Sequence, residues 1–291
     1  MVVGEKPEEA LAPYQENNMG DCPREYLEFE IDVAAEDIAK EAAEIRKGAE
    51  GKDYGAKYAT MTDGEVVKDY NGGEFNEKGD LGSWRNPNAK WDWYQIGGRW
   101  AGSLKLKEGA DGTKGTQSWM QRMQGTEYPE GCADQAYKGD IDVEGMRNEA
   151  GLKAQREYEA FEAIVAEHGP LPDDEWRKLD HSTDAFKEAK KAYWEHPTVK
   201  AIQEANLIGW MSLPTDEFRE TKEQYVEKAR NGAILAYAML IDGEWIEPGE
   251  MGWFGSSSET PESRVSYYEE ANKRFDALPD DTLITMVDCH I

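Results

Sequence analysis

Residues 84–100 are the most distinctive stretch of this chain, because they contain four of its ten tryptophans: Trp84, Trp91, Trp93 and Trp100. Side chains two residues apart in a strand point to one face, so an extended backbone would present Trp91 and Trp93 together. The Gly97-Gly98 pair that follows permits a sharp turn, a bulge or the close approach of another backbone. The segment therefore predicts an extended, aromatic strand with an unusual backbone at its end.

Two interpretations of this aromatic segment stay open from the sequence. The side chains either form a small core that holds a loop-rich region together, or they form an exposed platform for a base, a nucleotide or a partner protein. A neighbouring guanidinium can stack on an indole in both cases. The platform interpretation predicts a partner-binding site made of the following residues: Trp84, Arg85, Trp91, Trp93, Tyr94, Arg99 and Trp100.

The charge of the chain narrows the classes of partner. Acidic residues number 60 against 33 basic ones, which gives a formal net charge of -27 over 291 residues. Such a charge opposes non-specific binding to DNA or to membranes. It favours either a well-solvated surface or an acidic face that meets a basic patch on a partner, in the way that nucleic acid does. We therefore predict no direct nucleic-acid partner and no membrane partner.

The cysteines and the apolar segments predict a cytoplasmic protein. The three cysteines, Cys22, Cys132 and Cys289, have no zinc-site spacing and fit a reducing compartment. The N-terminal residues are acidic and lack the apolar core of a signal peptide. The longest apolar run, residues 233–241, is shorter than the roughly 20 residues that a membrane-spanning helix needs. We therefore expect no membrane-spanning helix and no signal peptide.

The pattern along the chain predicts four regions: a flexible arm at 1–22, an α+β half with the Trp-rich segment at 23–149, a helical insertion at 150–231, and an α+β half that completes the sheet at 232–291. Residues 26–33 alternate apolar and acidic side chains, which indicates a half-buried strand, and residues 34–47 have the spacing of a helix. Residues 57–61 and 65–70 are strand candidates around a Thr62-Asp63-Gly64 turn. A short helix is expected near residues 118–123.

The second half of the chain has clearer helix signals. His168-Gly169-Pro170 ends one helix, Pro197 breaks or opens another, and Thr260-Pro261-Glu262 begins a third. Residues 233–241 predict a central strand, Asp242-Gly243 a hairpin turn, residues 252–255 a short aromatic segment, and residues 283–291 a final strand. The order of these elements predicts an α+β protein with a ferredoxin-like split sheet and a helical insertion.

Chemistry-bearing residues are sparse in this sequence. In the final strand Asp288 and His290 share a face, and acidic residues from the strand at 26–33 would join them if the two strands were neighbours. A histidine with carboxylates can hold a divalent metal, although a simply solvated histidine is the commoner case. No nucleophile elbow, zinc-protease motif or phosphate-binding loop is present. We predict no catalytic residues, no metal ligands and no cofactor.

A resemblance adds to these patterns. Residues 86–100, N-P-N-A-K-W-D-W-Y-Q-I-G-G-R-W, resemble a segment of uncharacterised proteins of phages and mobile elements, and the final V-D-C-H-I is similar to the ends of those proteins. The resemblance covers a small part of the chain and implies a phage origin, without assigning a catalytic residue. Phage accessory proteins of this size and acidity include inhibitors of bacterial defence, among them the Gabija anti-defence family.

Three functions follow as hypotheses. The first is a phage-encoded inhibitor that binds a host defence complex in the host cytoplasm, blocks it without chemistry and self-associates into a homo-oligomer. The alternative is a nucleotide-binding or nucleotide-processing protein, in which the aromatic segment stacks a base, Arg85 and Arg99 hold phosphate, and Asp288 with His290 holds a metal. The third is a structural or regulatory protein without a host target.

Overall fold

The computed structural model describes residues 1–52, 55–209, 212–252 and 256–290. The chain forms two compact units: a large unit, Met1–Glu5 with Ile96–Asp288, and a small unit, Lys6–Gln95 with Cys289 and His290. Helices account for 45% of the described residues and strands for 18%, so the protein is mixed α and β, as predicted. The predicted ferredoxin-like split sheet is not confirmed, because the described strands are divided among several small sheets.

The described strands and helices are as follows. The strands are β1 Val2–Val3, β2 Glu28–Val33, β3 Glu74–Phe75, β4 Leu81–Arg85, β5 Trp93–Gly98, β6 Leu104–Lys105, β7 Thr116–Gln117, β8 Cys132–Ala133, β9 Gln135–Tyr137, β10 Met239–Ile241, β11 Glu244–Ile246, β12 Leu283–Thr285 and β13 Val287–His290. The helices are α1 Pro7–Leu11, α2 Ile38–Gly48, α3 Gly55–Tyr58, α4 Asp63–Asn71, α5 Trp119–Met123, α6 Val143–His168, α7 Asp184–Glu195, α8 Pro197–Glu204, α9 Pro214–Glu217, α10 Lys222–Gly232 and α11 Pro261–Ala277. None of these helices is both long and apolar enough to cross a bilayer.

A five-stranded sheet and helix α11 build the core of the large unit. The strand order is β11-β10-β1-β12-β9, with β1 parallel to β10 and antiparallel to β12. Val2 therefore pairs with both Leu240 and Thr285, which are distant in sequence. Phe275 of α11 and Ile284 of β12 are fully buried in the same apolar cluster.

Helices α6 to α10 run from residue 143 to residue 232, where a helical insertion is predicted for 150–231. Gly169 ends α6 with a φ of 91°, and Pro197 opens α8 at its first turn, so both sequence signals are confirmed. Four aromatic side chains fill the space between α6 and α10. Phe161 and Phe218 stack with ring centroids 4.2 Å apart, and Tyr158 and Tyr225 pack against them.

The small unit has its own core under the three-stranded sheet β2-β4-β3. Ala42 and Ile45 of α2 pack against Val66 and Val67 of α4 and against Leu81 of β4. The strands predicted at 57–61 and 65–70 are wrong, because Lys57 and Tyr58 end α3, residues 59–61 form a turn, and residues 65–70 lie in α4. The reason is local: the Thr62 hydroxyl and the Glu65 carboxylate form a reciprocal capping box that starts a helix.

The first 22 residues differ from the predicted flexible arm. They include β1, α1 and a short 3₁₀ turn at Ala12–Tyr14. Leu11 is fully buried, and its carbonyl accepts a hydrogen bond of 3.0 Å from the indole nitrogen of Trp91. An apolar anchor and main-chain pairing therefore order a segment whose composition is polar.

Two strands predicted in the C-terminal half are shorter than expected. Only Met239–Ile241 of the apolar run at 233–241 is a strand, although it lies inside the sheet as predicted. The strand predicted at 283–291 is interrupted at Met286, which separates β12 from β13. The Asp242-Gly243 turn and the Thr260 start of α11 are confirmed. Residues 253–255 of the predicted aromatic segment lie outside the described residues.

Candidate partner-binding site

The predicted partner-binding residues divide between the two units. The small unit contains five of them, Trp84, Arg85, Trp91, Trp93 and Tyr94, and the large unit contains Arg99 and Trp100. The division falls inside β5, between residues 95 and 96. Each unit is therefore considered separately.

Trp91 lies in the interior of the small unit, and the half-buried Tyr94 packs against it. Trp91 is only 7% exposed and packs edge-to-face on Tyr94, with ring centroids 5.1 Å apart. Burial raises the pKa of the Tyr94 hydroxyl above its ordinary value. Trp91 therefore acts as a core group, in agreement with the mini-core interpretation at that position, and Tyr94 lies at the edge of the same contact.

Trp84 and Arg85 project from the central strand β4 and are both engaged within the small unit. The guanidinium carbon of Arg24 lies 3.0 Å from the Trp84 ring centroid, and the Trp84 indole donates a hydrogen bond to Glu74. The Arg85 guanidinium donates to Glu30 at 2.9 Å and to Asp32 at 2.8 Å. Arg85 therefore neutralises carboxylates of this same chain, and its exposed guanidinium is not a free phosphate ligand.

Trp93 is the exposed aromatic residue of the segment in the small unit, with 49% of its surface accessible. Its ring stacks on the imidazole of His290 at 5.4 Å, and His290 Nδ1 lies 2.9 Å from Asp92 Oδ1. Burial alone would raise the pKa of Asp92. Hydrogen bonds from His290, from the Trp93 backbone and from Asn18 lower it by more than burial raises it, so the pKa lies below its ordinary value. Asp92 and His290 thus hold each other in place beneath Trp93.

Arg99 in the large unit is fixed by a buried carboxylate. Asp288 is 3% exposed, and it accepts hydrogen bonds from the Arg99 backbone N–H at 2.7 Å and from Arg99 Nε at 2.8 Å. Gly98, with a φ of 59°, leaves space for this carboxylate, because a Cβ there would overlap Asp288. The Arg99 guanidinium is therefore paired, although much of its side chain is accessible to solvent.

A second buried carboxylate, Asp134, organises the adjacent loop. It is fully buried and accepts hydrogen bonds of 2.7 Å from the Gly102 N–H, the Gly115 N–H and the Tyr128 hydroxyl. Burial and the contact with Asp134 raise the pKa of Tyr128. A Cβ at Gly97 would come within 2.7 Å of Asp134 Oδ2. The two glycines of the aromatic segment therefore each accommodate a different buried aspartate.

This scaffold supports an exposed apolar surface in the large unit. We define the α5 patch as the following residues: Trp100, Trp119, Met120 and Met123. Their exposed fractions are 57%, 65%, 60% and 70%. The Ser118 N–H donates to the Gly98 carbonyl at 3.1 Å, and Gln121 Nε2 donates to the Arg99 carbonyl at 3.3 Å. These bonds hold α5 against the turn that carries Trp100.

The aromatic segment alone did not reveal the α5 patch. The sequence predicts a helix near 118–123, and the spacing of Trp119, Met120 and Met123 puts their side chains on one side of a helical turn. A five-residue helix can bury few side chains of its own, so apolar residues on such a helix indicate a binding surface. The overall composition of the chain does not contain this signal. The exposed cations Arg122 and Lys114 belong to the same part of the chain.

The arrangement proposed for nucleotide chemistry is not assembled by these residues. Asp288 is bound by Arg99 and His290 by Asp92, so the two side chains engage different partners. Among the described strands β13 pairs with β5 and β2 with β4, so the acidic residues of β2 do not join the Asp288 face. Within the described ranges no group of three or more His, Cys, Asp or Glu side chains is placed to hold a metal ion.

A groove of about 330 Å³ lies between α6, α10 and α11 of the large unit. Its lysines are balanced within the chain, because Lys228 Nζ is 3.2 Å from Glu220 and Lys153 Nζ is 3.7 Å from Glu157. Burial raises the pKa of Tyr225, which lines the groove, to about 12. Glu157 and Glu217 line the groove beside these two lysines, so it presents no excess of positive charge to an anionic ligand.

No protein-family model, curated protein or solved structure matches this chain.

Proposed function

We propose that this protein works by binding a partner protein through the α5 patch, and that the partner is a bacterial anti-phage defence complex which it blocks. The observation that supports this proposal best is the exposure of two tryptophans and two methionines on the short helix α5 and on the turn that is hydrogen-bonded to it. Tryptophan is enriched among the residues that dominate binding energy, and methionine adapts to irregular partner surfaces. The chain would then be a phage-encoded inhibitor acting in the host cytoplasm.

The energetics favour such a role for the α5 patch. Burying one large apolar side chain contributes roughly 1.5–3 kcal/mol, so a few of them offset a substantial part of the cost of association. The two buried aspartates and the capped start of α5 fix the patch before binding. A pre-ordered surface loses less conformational entropy when it binds, which raises affinity.

The charge of the molecule supports a partner with a basic surface. The formal net charge is -27, which steers the protein away from nucleic acid and towards positively charged protein faces. Defence complexes that act on nucleic acid need such faces. The resemblance of residues 86–100 and of the final segment to phage proteins supports the same assignment.

A plaque assay tests this proposal. Bacterial strains that each carry one defence system, a Gabija system among them, are infected with and without co-expression of this protein. The wild type is expected to restore plaque formation in at least one strain and to co-elute with a protein of that system. The variant Trp119→Ala/Met123→Ala is expected to weaken binding by about a hundredfold, since two central contacts are lost.

A matched variant separates the α5 patch from general surface effects. Leu152→Ala/Val265→Ala removes two other exposed apolar side chains of the large unit and is expected to leave both plaque formation and binding unchanged. Restoration of plaques without a stable complex, or equal loss in both variants, would contradict the proposal. Light scattering on the purified protein tests the accompanying proposal that it forms a homo-oligomer.

The nucleotide alternative has its own readout. Thermal unfolding with a panel of nucleotides, with and without Mg²⁺ or Mn²⁺, is expected to show no stabilisation, because Arg85 and Arg99 already bind carboxylates. A clear increase in Tm with one nucleotide would favour nucleotide binding over the proposed inhibitor function.

A further inference from the structure

The outer edge of β2 is a second exposed feature, and it lies in the small unit. β2 is the terminal strand of the sheet β2-β4-β3, and among the described strands it pairs only with β4. Four of its six residues are exposed: Glu28, Glu30, Ile31 and Asp32. The terminal strand of a sheet presents backbone N–H and C=O groups that are available to another chain.

The two faces of this strand differ in chemistry. Glu30 and Asp32 share the guanidinium of Arg85, and Glu28 lies directly opposite Arg85 in the register, so this face has three carboxylates for one cation. The other face is apolar. It contains Phe29, which packs on Trp84, and Ile31, which is 52% exposed.

We propose that the edge of β2 binds a segment of a partner protein as an added β-strand, and that this segment alternates basic and apolar residues. Its basic side chains would lie beside the excess carboxylates, and its apolar side chains would cover Ile31. Main-chain hydrogen bonds supply affinity in this mode of recognition, and alternate side chains supply specificity.

A second copy of this chain is a poor occupant of the same edge. Two β2 strands paired edge to edge would bring carboxylates of one next to carboxylates of the other, and like charges directly opposite each other are destabilising. The acidic face therefore protects the protein against self-association at this edge while it admits a basic strand. This inference goes beyond the proposed function, since none of its residues belongs to the α5 patch.

Three labelled peptides test the proposal on the full-length chain by fluorescence anisotropy. One alternates lysine and valine, one alternates glutamate and valine, and one keeps the lysine count but replaces alternate valines by proline. The proline peptide has the same charge but lacks the backbone N–H donor at each proline. It is expected to bind about tenfold more weakly than the lysine–valine peptide, because backbone hydrogen bonds are lost, and the glutamate peptide is expected not to bind.

Hydrogen exchange and a pair of variants locate the binding. The lysine–valine peptide is expected to slow amide exchange within residues 28–33. Ile31→Lys is expected to weaken binding by about fivefold, the size of one cross-strand contact. The control variant Val265→Lys also replaces an exposed β-branched residue by lysine, but on α11, and is expected to have no comparable effect on binding.

Equal binding of the lysine–valine and proline peptides would overturn the proposal, because attraction to a chain of charge -27 would then explain both. Protection confined to amides outside β2 would overturn it as well. Failure of the plaque assay would leave this test unaffected, since purified peptides replace the partner.

Discussion

At the scale of single residues, Gly97 and Gly98 determine how the aromatic segment ends. Both have positive φ, 84° and 59°, and each faces a buried carboxylate, Asp134 and Asp288 respectively. Only glycine combines a left-handed backbone with the absence of a Cβ at such a contact. The two requirements can be separated experimentally.

Gly98→Ala is expected to destabilise the protein by more than about 2 kcal/mol, because strain and overlap with Asp288 add. The control is Gly109→Ala, where φ is 77° but nothing lies within 4 Å of the new Cβ. That variant bears only the backbone strain, about 1 kcal/mol. Urea unfolding of both variants measures the difference, and equal losses would show that Asp288 tolerates the added carbon.

Asp92 predicts a pH dependence of stability. The pKa of Asp92 in the folded state is lower than its ordinary value. Its contribution to the free energy of unfolding is therefore fully present above a pH of about 3.9, the ordinary Asp pKa, and is lost as the pH falls through the folded-state pKa. The variant His290→Ala removes one of the hydrogen bonds that lower the pKa of Asp92, so this pKa is expected to rise. A carboxyl titration by NMR checks the direction, and an unchanged or lower pKa would contradict it.

Part of this site is predictable from single residues. The Gly97-Gly98 pair predicts a turn, a bulge or a close approach of another group, but the two carboxylates that make the approach are not predictable. Asp288 lies 189 positions from Arg99, and no local pattern connects them. The burial of Trp91 and the exposure of Trp93 were equally inaccessible, because both depend on which segments pack nearby.

At the scale of elements, helix ends and the alternating strand β2, predicted at 26–33, were predictable, but short strands such as β1 were not. Ser118, Thr260 and Gly169 start or end helices by local hydrogen bonding or backbone conformation, and the structure confirms all three. The β-branched Val66-Val67 pair favours a strand, but the capping box of Thr62 and Glu65 starts a helix there instead. Strands such as β1 have only two residues, and distant partners define them.

The cap of α5 leads to a prediction about binding. Ser118→Ala removes the acceptor for the Gln121 N–H and is expected to cost about 1 kcal/mol locally. Because α5 is short, amide exchange in residues 119–123 should accelerate, and partner binding should weaken. Ser118→Thr retains a hydroxyl and should restore both, whereas unchanged exchange in Ser118→Ala would show that the cap is dispensable.

At the scale of the whole molecule, self-repulsion is the dominant electrostatic property. Added monovalent salt screens repulsion among the excess carboxylates, with a Debye length of about 10 Å at 0.1 M. Tm is therefore expected to rise with ionic strength at neutral pH. Different monovalent chloride salts should act equally, and a fall in Tm would show that attractive ion pairs dominate instead.

The class of fold was predictable at this scale, but the topology was not. Counts of helical and strand patterns predict a mixed protein, and the structure agrees. The sheets cannot be derived in the same way, because β1 joins β10 and β12 across most of the chain, whereas β2 joins its near neighbour β4. The α5 patch was missed since exposure is a property of the assembled molecule.

The pairing of Arg99 with Asp288 also has a consequence for synthesis on the ribosome. The Gly98-Arg99 turn leaves the exit tunnel long before its carboxylate, since 189 residues separate them. At a translation rate of about 5–20 residues per second, the delay is on the order of 10–40 seconds. During that interval the Gly98-Arg99 turn of the nascent chain lacks the carboxylate that pairs with Arg99, so the turn is completed only when β13 has been synthesised.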